Sequence, residues 1–222
     1  MVAIPLQLLA LVEHELLLFA GVFFLLGAVD EFAVDLAWIW LKITGRAKTV
    51  SIVRADAEGA PLRGPAAVLV PTWHEAAVIG DTIRHMLAAW PQEELRLYVG
   101  CYRNDPATAQ AIMDGIGSDP RGRLVLHGRD GPTTKADCLN RLYGAVQDDE
   151  VREGREFRMV LLHDAEDVVD PAALALLDRA IDDAEFVQLP VMPLVQRRSR
   201  WIAGHYCEEF ADAVWSQKRT VC

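Results

Sequence analysis

The feature that most constrains the fold is an alternation of short apolar runs with segments of helical periodicity after residue 65. This pattern predicts strands at residues 66–70, 95–99, 123–127, 157–162 and 186–191. It predicts helices at residues 75–90, 106–116, 134–146 and 171–182, and helix-like sequence from about residue 200. Strands that alternate with helices pair in parallel through right-handed crossovers. We therefore expect an α/β domain with a mostly parallel sheet flanked by helices, and a ligand beyond the carboxyl ends of its strands.

The N-terminal part of the chain contains an uncharged apolar run at residues 16–29. This run is shorter than the roughly 20 residues of a membrane-spanning helix. A spanning helix would therefore have to include flanking residues, some of which are acidic. Glu13 and Glu31 are 18 residues apart, which is about five helical turns, so a continuous helix places them on one face. Two interpretations remain, a helix that crosses the membrane and an amphipathic helix that lies at its surface.

The residues that follow the apolar run are basic and then polar. The basic side chains are Lys42, Arg46, Lys48 and Arg54. Positive charge next to a spanning helix favours the cytoplasmic side, so we expect the α/β domain in the cytoplasm. Residues 44–65 are polar with glycine and proline, which is typical of a linker. We therefore predict a membrane-associated segment at residues 1–43, a linker at 44–65 and the α/β domain at 66–222.

Composition excludes several classes of protein. The formal net charge of −10 argues against a nucleic-acid partner, because nucleic-acid binding needs a basic surface. With 52% apolar residues the chain is not intrinsically disordered. The four cysteines contain no C-x-x-C pair, which excludes a zinc knuckle and favours buried thiols.

Charged residues lie where the predicted strands end. Glu75 and Asp105 follow the first and second strands, and each has a structural alternative: a first-turn acid of the next helix for Glu75, and a helix cap for Asp105. Lys135 lies at a helix start, where the helix dipole disfavours a cation, so a role facing phosphate is favoured over a surface lysine. His74 and His163 flank the same region, and we interpret them as supporting or incidental groups.

The loop after the fourth strand holds four acids within residues 164–170. In an extended chain, residues i and i+2 point the same way, so Asp164 and Glu166 are predicted to converge on one ion. Oxygen ligands of this kind suit Mg²⁺ or Mn²⁺ shared with a phosphorylated substrate. A solvated acidic loop is the alternative. Asp170 precedes a proline and is better explained as a helix cap.

Taken together and in order, these loops resemble the nucleotide-binding half of family 2 glycosyltransferases, which have the Rossmann-like GT-A fold. The matching pieces are P-T-W-H-E (71–75), Y-R-N-D (102–105), K-A-D-C-L-N (135–140) and D-A-E (164–166), the last in the place of the family's D-x-D motif. With its membrane-proximal N-terminus, the chain is most similar to the phage adsorption protein B type of bacterial membrane glycosyltransferase. The resemblance covers roughly residues 8–212 and implies the bacterial inner membrane as location.

The resemblance implies roles for individual residues. Glu75 and Asp105 would hold the base and ribose of a nucleotide-sugar donor, expected to be a UDP-sugar, with Pro71 beside them. Lys135 would lie near the nucleotide. Asp164 would contact the donor and, with Glu166, bind a divalent metal, Mg²⁺ or Mn²⁺, that neutralises the departing diphosphate. Transfer to an acceptor hydroxyl would proceed with inversion.

The chain also departs from the family pattern. The second acid of the D-x-D motif is Glu166, a longer carboxylate that still offers oxygen ligands. The family's general base lies in an acidic motif further along, and a Q-x-x-R-W-type motif follows; neither is found here. We therefore expect a domain incomplete at its C-terminus, with no catalytic base in the chain. The alternatives are a truncated, non-catalytic protein that binds a nucleotide or membrane components, and a nucleotidyltransferase-like enzyme, although 71–75 lacks its glycine-rich loop.

Overall fold

The computed structural model describes residues 6–46 and 53–189 of the chain. These residues fall into two compact units, one that contains the N-terminal helix and one that reaches from Val50 to Leu189. The helix-like sequence predicted from about residue 200 lies outside the described residues.

The described part of the first unit contains one long helix, α1 (Leu6–Ile43). At 1.5 Å per residue it is about 57 Å long, which exceeds the roughly 30 Å hydrocarbon core of a bilayer. Its large apolar side chains are exposed, and within the described part of the chain it is the one helix long and apolar enough to cross a membrane. Because the helix is continuous, Glu13 and Glu31 lie on the same face, as predicted. Its length and composition fit both the spanning and the surface-lying interpretation.

The second unit is built on a four-stranded parallel sheet with the order β3-β2-β1-β4. Its strands are β1 (Ala66–Pro71), β2 (Leu95–Tyr102), β3 (Gly122–His127) and β4 (Met159–Leu162). Its helices are α2 (Arg54–Ala57), α3 (Ile79–Ala89), α4 (Pro106–Ile116), α5 (Lys135–Glu153) and α6 (Ala173–Ala180). The predicted fold, a mostly parallel sheet flanked by helices and preceded by an apolar helix, is confirmed.

The core lies on both faces of the sheet, which explains why the strands are almost continuously apolar. Successive residues of β1 alternate between the two faces. Val68 and Val70 pack in the larger cluster with residues of α3, α4 and α6, such as the fully buried Ile83. Ala67 and Leu69 pack in the smaller cluster against α5. The loop after β1 therefore begins at the end of a strand that is buried on both faces.

The residues that precede β1 pack against the α/β unit. Helix α2 lies at residues 54–57, and Ala57 is fully buried. The guanidinium of Arg54 contacts the carboxylate of Asp170 at 2.9 Å, and the Gln92 side chain donates to the Ala60 carbonyl at 3.0 Å. The later part of the predicted linker is therefore held against the sheet unit.

Several predicted elements differ from the structure at their ends: β2 continues to Tyr102, α5 continues to Glu153, β4 begins at Met159, and α6 spans Ala173–Ala180. Two differences have an identifiable physical cause. The helix predicted from residue 75 begins at Ile79, because residues 75–78 form a turn in which the Glu75 carbonyl accepts hydrogen bonds from Val78 and Ile79. The strand predicted at residues 186–191 is wrong over 186–189, which form irregular chain; residues 190–191 lie outside the described part. An apolar run becomes a strand only where another strand pairs with it, and the Phe186 side chain is exposed.

Candidate functional site

The carboxyl ends of the parallel strands lie at the same edge of the sheet. Along this edge the order of the strands reverses between β1 and β4. β2 and β3 lie on one side of β1, and β4 lies on the other. In doubly wound sheets this switch point opens the crevice that binds ligands. All the predicted site residues lie at this edge: Pro71 and Glu75 at the end of β1, Asp105 after β2, Lys135 at the start of α5, and Asp164 and Glu166 after β4.

The loop after β1 is fastened to β2. Pro71 ends β1 and pairs with Gly100 in the sheet register. The Thr72 hydroxyl donates to the Gly100 carbonyl at 2.7 Å. His74 has a φ of 59°, in the left-handed region that is uncommon for residues other than glycine, and its N–H donates to Asp105 Oδ2 at 2.7 Å. The loop conformation therefore depends on Asp105.

Asp105 is the N-cap of α4 and is only 3% exposed. Its Oδ1 accepts the N–H of Thr108 at 3.3 Å. Burial acts to raise the pKa of Asp105, but the hydrogen bonds from Thr108 and His74 outweigh burial and hold the pKa below its ordinary value of 3.8. The helix-cap interpretation is confirmed, and the side chain also orients the loop after β1.

Glu75 is half-buried, and no described residue forms an ion pair or hydrogen bond with its carboxylate. The interpretation as a first-turn helix acid is wrong, because α3 begins four residues later and its first-turn acid is Asp81. The structure thus removes the structural alternative for Glu75 and leaves its carboxylate at the carboxyl edge of the sheet.

Lys135 and Asp164 form an ion pair between the start of α5 and the loop after β4. Both side chains are exposed, and they are 29 residues apart in sequence. Helix α5 is capped by Thr134, whose hydroxyl accepts the Asp137 N–H at 3.1 Å. A cation and a carboxylate predicted separately from the sequence are therefore in contact at the switch point.

The loop after β4 is a turn at residues 164–167 rather than an extended segment. Asp167 Oδ2 accepts the Asp164 N–H at 2.9 Å, and the Asp164 carbonyl accepts the Asp167 N–H at 3.2 Å. The buried Ala165 is held by its carbonyl, which accepts the Thr82 hydroxyl at 2.7 Å. The extended conformation that we predicted for Asp164 and Glu166 is wrong, because these local hydrogen bonds close the turn.

The donor set of this loop consists of carboxylate oxygens. Over residues 6–46 and 53–189, no group of three His, Cys, Asp or Glu side chains is arranged to hold a metal. Mg²⁺, however, is commonly bound by one or two carboxylates, with substrate phosphates and waters as its other ligands. Asp164 and Glu166, both exposed, fit that chemistry.

Neighbouring polar side chains have structural partners. His163 Nδ1 lies 3.3 Å from Asp167 Oδ2, and its ring lies 5.6 Å from that of Trp90. Asp170 Oδ1 accepts the Ala172 N–H at 2.8 Å, but the N-cap of α6 is Ala172, so the prediction that Asp170 caps this helix is wrong. Ala172 and Arg54 hold the pKa of the Asp170 carboxyl below its ordinary value, against the opposing effect of burial. These groups support the loop.

A second set of contacts at this edge was not predicted. The Tyr102 hydroxyl lies 2.7 Å from Thr133 Oγ1, and Asn104 forms two hydrogen bonds with the backbone of Gly131. Buried His127 pairs with Asp137 at 3.2 Å and stacks on the Tyr102 ring. The polar residues of Y-R-N-D beside the predicted Asp105 were the one sequence signal for this set.

Comparison with known proteins identifies the family. Residues 64–218, more than half of the chain, match the profile described as Glycosyltransferase like family 2. The chain belongs to glycosyltransferase-like family 2. It is 29% identical over 198 residues to Bacteriophage adsorption protein B of Escherichia coli strain K12 and to Bacteriophage N4 adsorption protein B of Escherichia coli O157:H7. No solved structure gives a significant match.

The alignments cover 86% of this chain but 26% of each relative, so the chain spans about a quarter of the length of these curated relatives. Membership of glycosyltransferase-like family 2 confirms the resemblance predicted from the motifs. It is consistent with sugar transfer, and members of the family generally use nucleotide-sugar donors.

Proposed function

We propose that the α/β unit binds a nucleoside-diphosphate sugar, a UDP-sugar, together with Mg²⁺ or Mn²⁺, and that the protein transfers the sugar with inversion to an acceptor hydroxyl. The observation that carries this proposal is the contact between Lys135 and Asp164 at the switch point of the sheet. A diphosphate needs positive charge, which a lysine and a carboxylate-bound metal supply together. Family membership supports the class of reaction.

The base and ribose of the donor are assigned to the edge formed by the loops after β1 and β2. Glu75 offers a half-buried carboxylate there that is unpaired among the residues the structure describes. Asp105 is ionised above its lowered pKa, and each of its oxygens retains a lone pair beyond the one used by a backbone N–H. Pro71, which ends β1 and pairs with Gly100 of β2, is assigned to the same edge next to Glu75 and Asp105.

The metal is assigned to Asp164 and Glu166. When bound, it would neutralise the negative charge that develops on the departing diphosphate. The Lys135 ammonium, on its flexible stem, can turn from Asp164 toward a phosphate oxygen without moving the helix. The chain's own residues thus bind the donor and orient its diphosphate.

In the transfer, the bond between the anomeric carbon and the diphosphate oxygen breaks, and its electron pair leaves with the diphosphate. The acceptor oxygen forms its bond on the opposite face, which inverts the anomeric centre, and loses its proton to a general base. We assign the described residues to donor binding and none of them to the base. The complete transfer is proposed for the whole protein.

For location, we propose the bacterial inner membrane with the α/β unit in the cytoplasm. The support is the long apolar helix α1 and the basic residues that follow it, such as Lys42 and Arg46. Proteolysis of sealed inner-membrane vesicles tests this orientation. Cleavage within residues 53–189 of inside-out vesicles is expected, and protection there would contradict it.

Titration calorimetry of the full chain in lipid nanodiscs with UDP and Mn²⁺ tests the site. We expect Asp164→Ala to weaken Mn²⁺-dependent UDP binding by at least roughly tenfold. Asp114→Ala is the matched control, because Asp114 is an acid near the far end of α4 whose one hydrogen-bond partner within the described ranges is Gln110. Unchanged affinity in Asp164→Ala would overturn the site assignment. Release of sugar from a radiolabelled UDP-sugar separates an enzyme from the non-catalytic alternative, which predicts binding without release.

A further inference from the structure

A group of contacts beside the proposed donor site has no part in the roles assigned above. At its centre is Asn104, in the loop after β2. Its Nδ2 donates to the Gly131 carbonyl at 2.9 Å, and the Gly131 N–H donates to its Oδ1 at 2.8 Å. The carboxamide therefore pairs with both polar groups of one residue, as a neighbouring strand would. Gly131 lies four residues before Lys135.

The residues on either side of Asn104 reinforce this pairing. Arg103 Nε donates to Asp130 Oδ1 at 2.6 Å, and the Tyr102 hydroxyl lies 2.7 Å from Thr133 Oγ1. Three consecutive residues thus hold three positions of the loop that leads into α5. We refer to Tyr102, Arg103 and Asn104 with their partners Asp130, Gly131 and Thr133 as the loop clamp.

The loop also lies directly against aromatic rings. A Cβ added to Gly131 would be 2.6 Å from Trp73 Cζ3 and 2.7 Å from Tyr102 Cγ, closer than such atoms can pack. Glycine allows this backbone to lie on the rings while Asn104 pairs with it. The clamp therefore joins the loops after β1 and β2 to the segment that ends at Lys135.

We propose that Asn104 is a positioning residue of the donor site, which presents Lys135 to Asp164 by fixing the backbone of Gly131. The inference rests on the proposed function. An exposed ion pair alone contributes little, because holding a lysine in one place costs side-chain entropy. A backbone anchor shortly before Lys135 removes a second cost, that of ordering the backbone at the start of α5 when the pair forms, so only the side-chain entropy of the lysine remains to be lost.

Two substitutions of Asn104 separate positioning from a general structural role. Asn104→Asp keeps the shape and the acceptor, but at neutral pH it turns a carboxylate oxygen toward the Gly131 carbonyl. At low pH the protonated carboxyl again supplies a donor, so the pairing is restored. Asn104→Ala has no donor at any pH. Gln110→Glu is the matched amide-to-acid control, because the side chain of the exposed Gln110 bonds, in the described part of the chain, only to Asp114 on its own helix.

The first measurement needs no ligand. A carbodiimide couples a lysine to a carboxylate only when the two are in contact, and the chain has four lysines, so a link between Lys135 and Asp164 is mapped unambiguously by mass spectrometry. At neutral pH we expect roughly five- to tenfold less of this link in Asn104→Asp and Asn104→Ala, the factor that one lost hydrogen bond supplies. Gln110→Glu should match the wild type. Wild-type yields in both Asn104 variants would overturn the proposal.

The second measurement is calorimetry with UDP and Mn²⁺ at about pH 7.5 and about pH 4, close to the ordinary pKa of an exposed aspartate, with each variant compared with wild type at the same pH. We expect Asn104→Asp to bind roughly fivefold more weakly than wild type at the higher pH and to come within about twofold of wild type at the lower pH, where about half of its carboxyl is protonated, while Asn104→Ala stays weak at both. A merely structural role predicts no recovery, and that result contradicts the proposal. If the wild type itself binds no UDP, the proposed function fails, and the cross-link still decides whether Asn104 positions Lys135.

Discussion

Replacing Gly131 by alanine tests the close approach of the loop to the aromatic rings. The added Cβ would lie 2.6 Å from Trp73 Cζ3 and 2.7 Å from Tyr102 Cγ. Unbonded carbons pack at about 3.5–4.0 Å, so the overlap is about 1 Å. Gly131 is not among the glycines with positive φ, so alanine adds no strain from that source and the substitution isolates the clash.

Relieving this overlap requires the loop or both rings to move, and over-packing of this kind costs about 1–3 kcal/mol. In a domain of this size, 1 kcal/mol lowers the midpoint of thermal unfolding by about 4 °C. We therefore expect Gly131→Ala to unfold about 4–12 °C below wild type, as followed by circular dichroism of the full chain. Because displacement of Tyr102 breaks its hydrogen bond to Thr133, UDP–Mn²⁺ affinity should fall as well.

Gly128→Ala is the matched control, since Gly128 lies just before the same loop and an added Cβ meets nothing within 4 Å. Its midpoint should stay within about 1 °C of wild type, as is usual for a surface substitution. Equal midpoints for the two variants would refute the steric reasoning.

Two further predictions concern buried polar groups. The pKa of Asp105 is lower in the folded chain than the ordinary value of 3.8, so its carboxylate stabilises the fold above about pH 4, and this contribution is lost as the pH falls through the folded pKa. In urea unfolding, Asp105→Asn should cost about 1–3 kcal/mol at neutral pH, and the difference from wild type should shrink on acidification; a constant difference would contradict this. Tyr98→Phe removes the buried hydroxyl that donates to Asp149 Oδ2 at 2.8 Å and should cost about 1–2 kcal/mol, whereas Tyr143→Phe, at an exposed position, should cost nothing measurable; equal losses would exclude the buried bond as the cause.

Elements specified by local sequence were predicted accurately. Helix α4 occupies the predicted residues 106–116, because Asp105 caps it and proline takes its first position. β1 was predicted to within one residue, because a short run of apolar residues between polar segments is buried most simply as a strand. The parallel arrangement followed from the alternation of strands and helices.

Features that depend on distant residues were not predictable in this way. α3 begins at Ile79 rather than at residue 75 because the preceding loop is held through His74 and Asp105, which are 31 residues apart. The turn at Asp164 closes on hydrogen bonds that no periodicity signals.

In the candidate site, too, residue types were predictable from the local sequence, whereas contacts between distant residues were not. The individual residues Lys135 and Asp164 were recognised from their types and positions, but their contact depends on the packing of α5 against the sheet. Asn104 stood beside the predicted Asp105, yet its partner Gly131 lies 27 residues further along the chain. Only the fold brings these two loops together.

The central claim is that a nucleoside diphosphate binds at the carboxyl edge of the sheet. Photolabelling of the full chain with a radiolabelled UDP-sugar that carries an azide on the base locates that site directly. With Mn²⁺ present, we predict label in the tryptic peptides 64–84 and 104–121, which contain Glu75 and Asp105, and loss of label with excess UDP. Label confined to peptide 142–152 of α5, or label that excess UDP does not displace, would contradict the account.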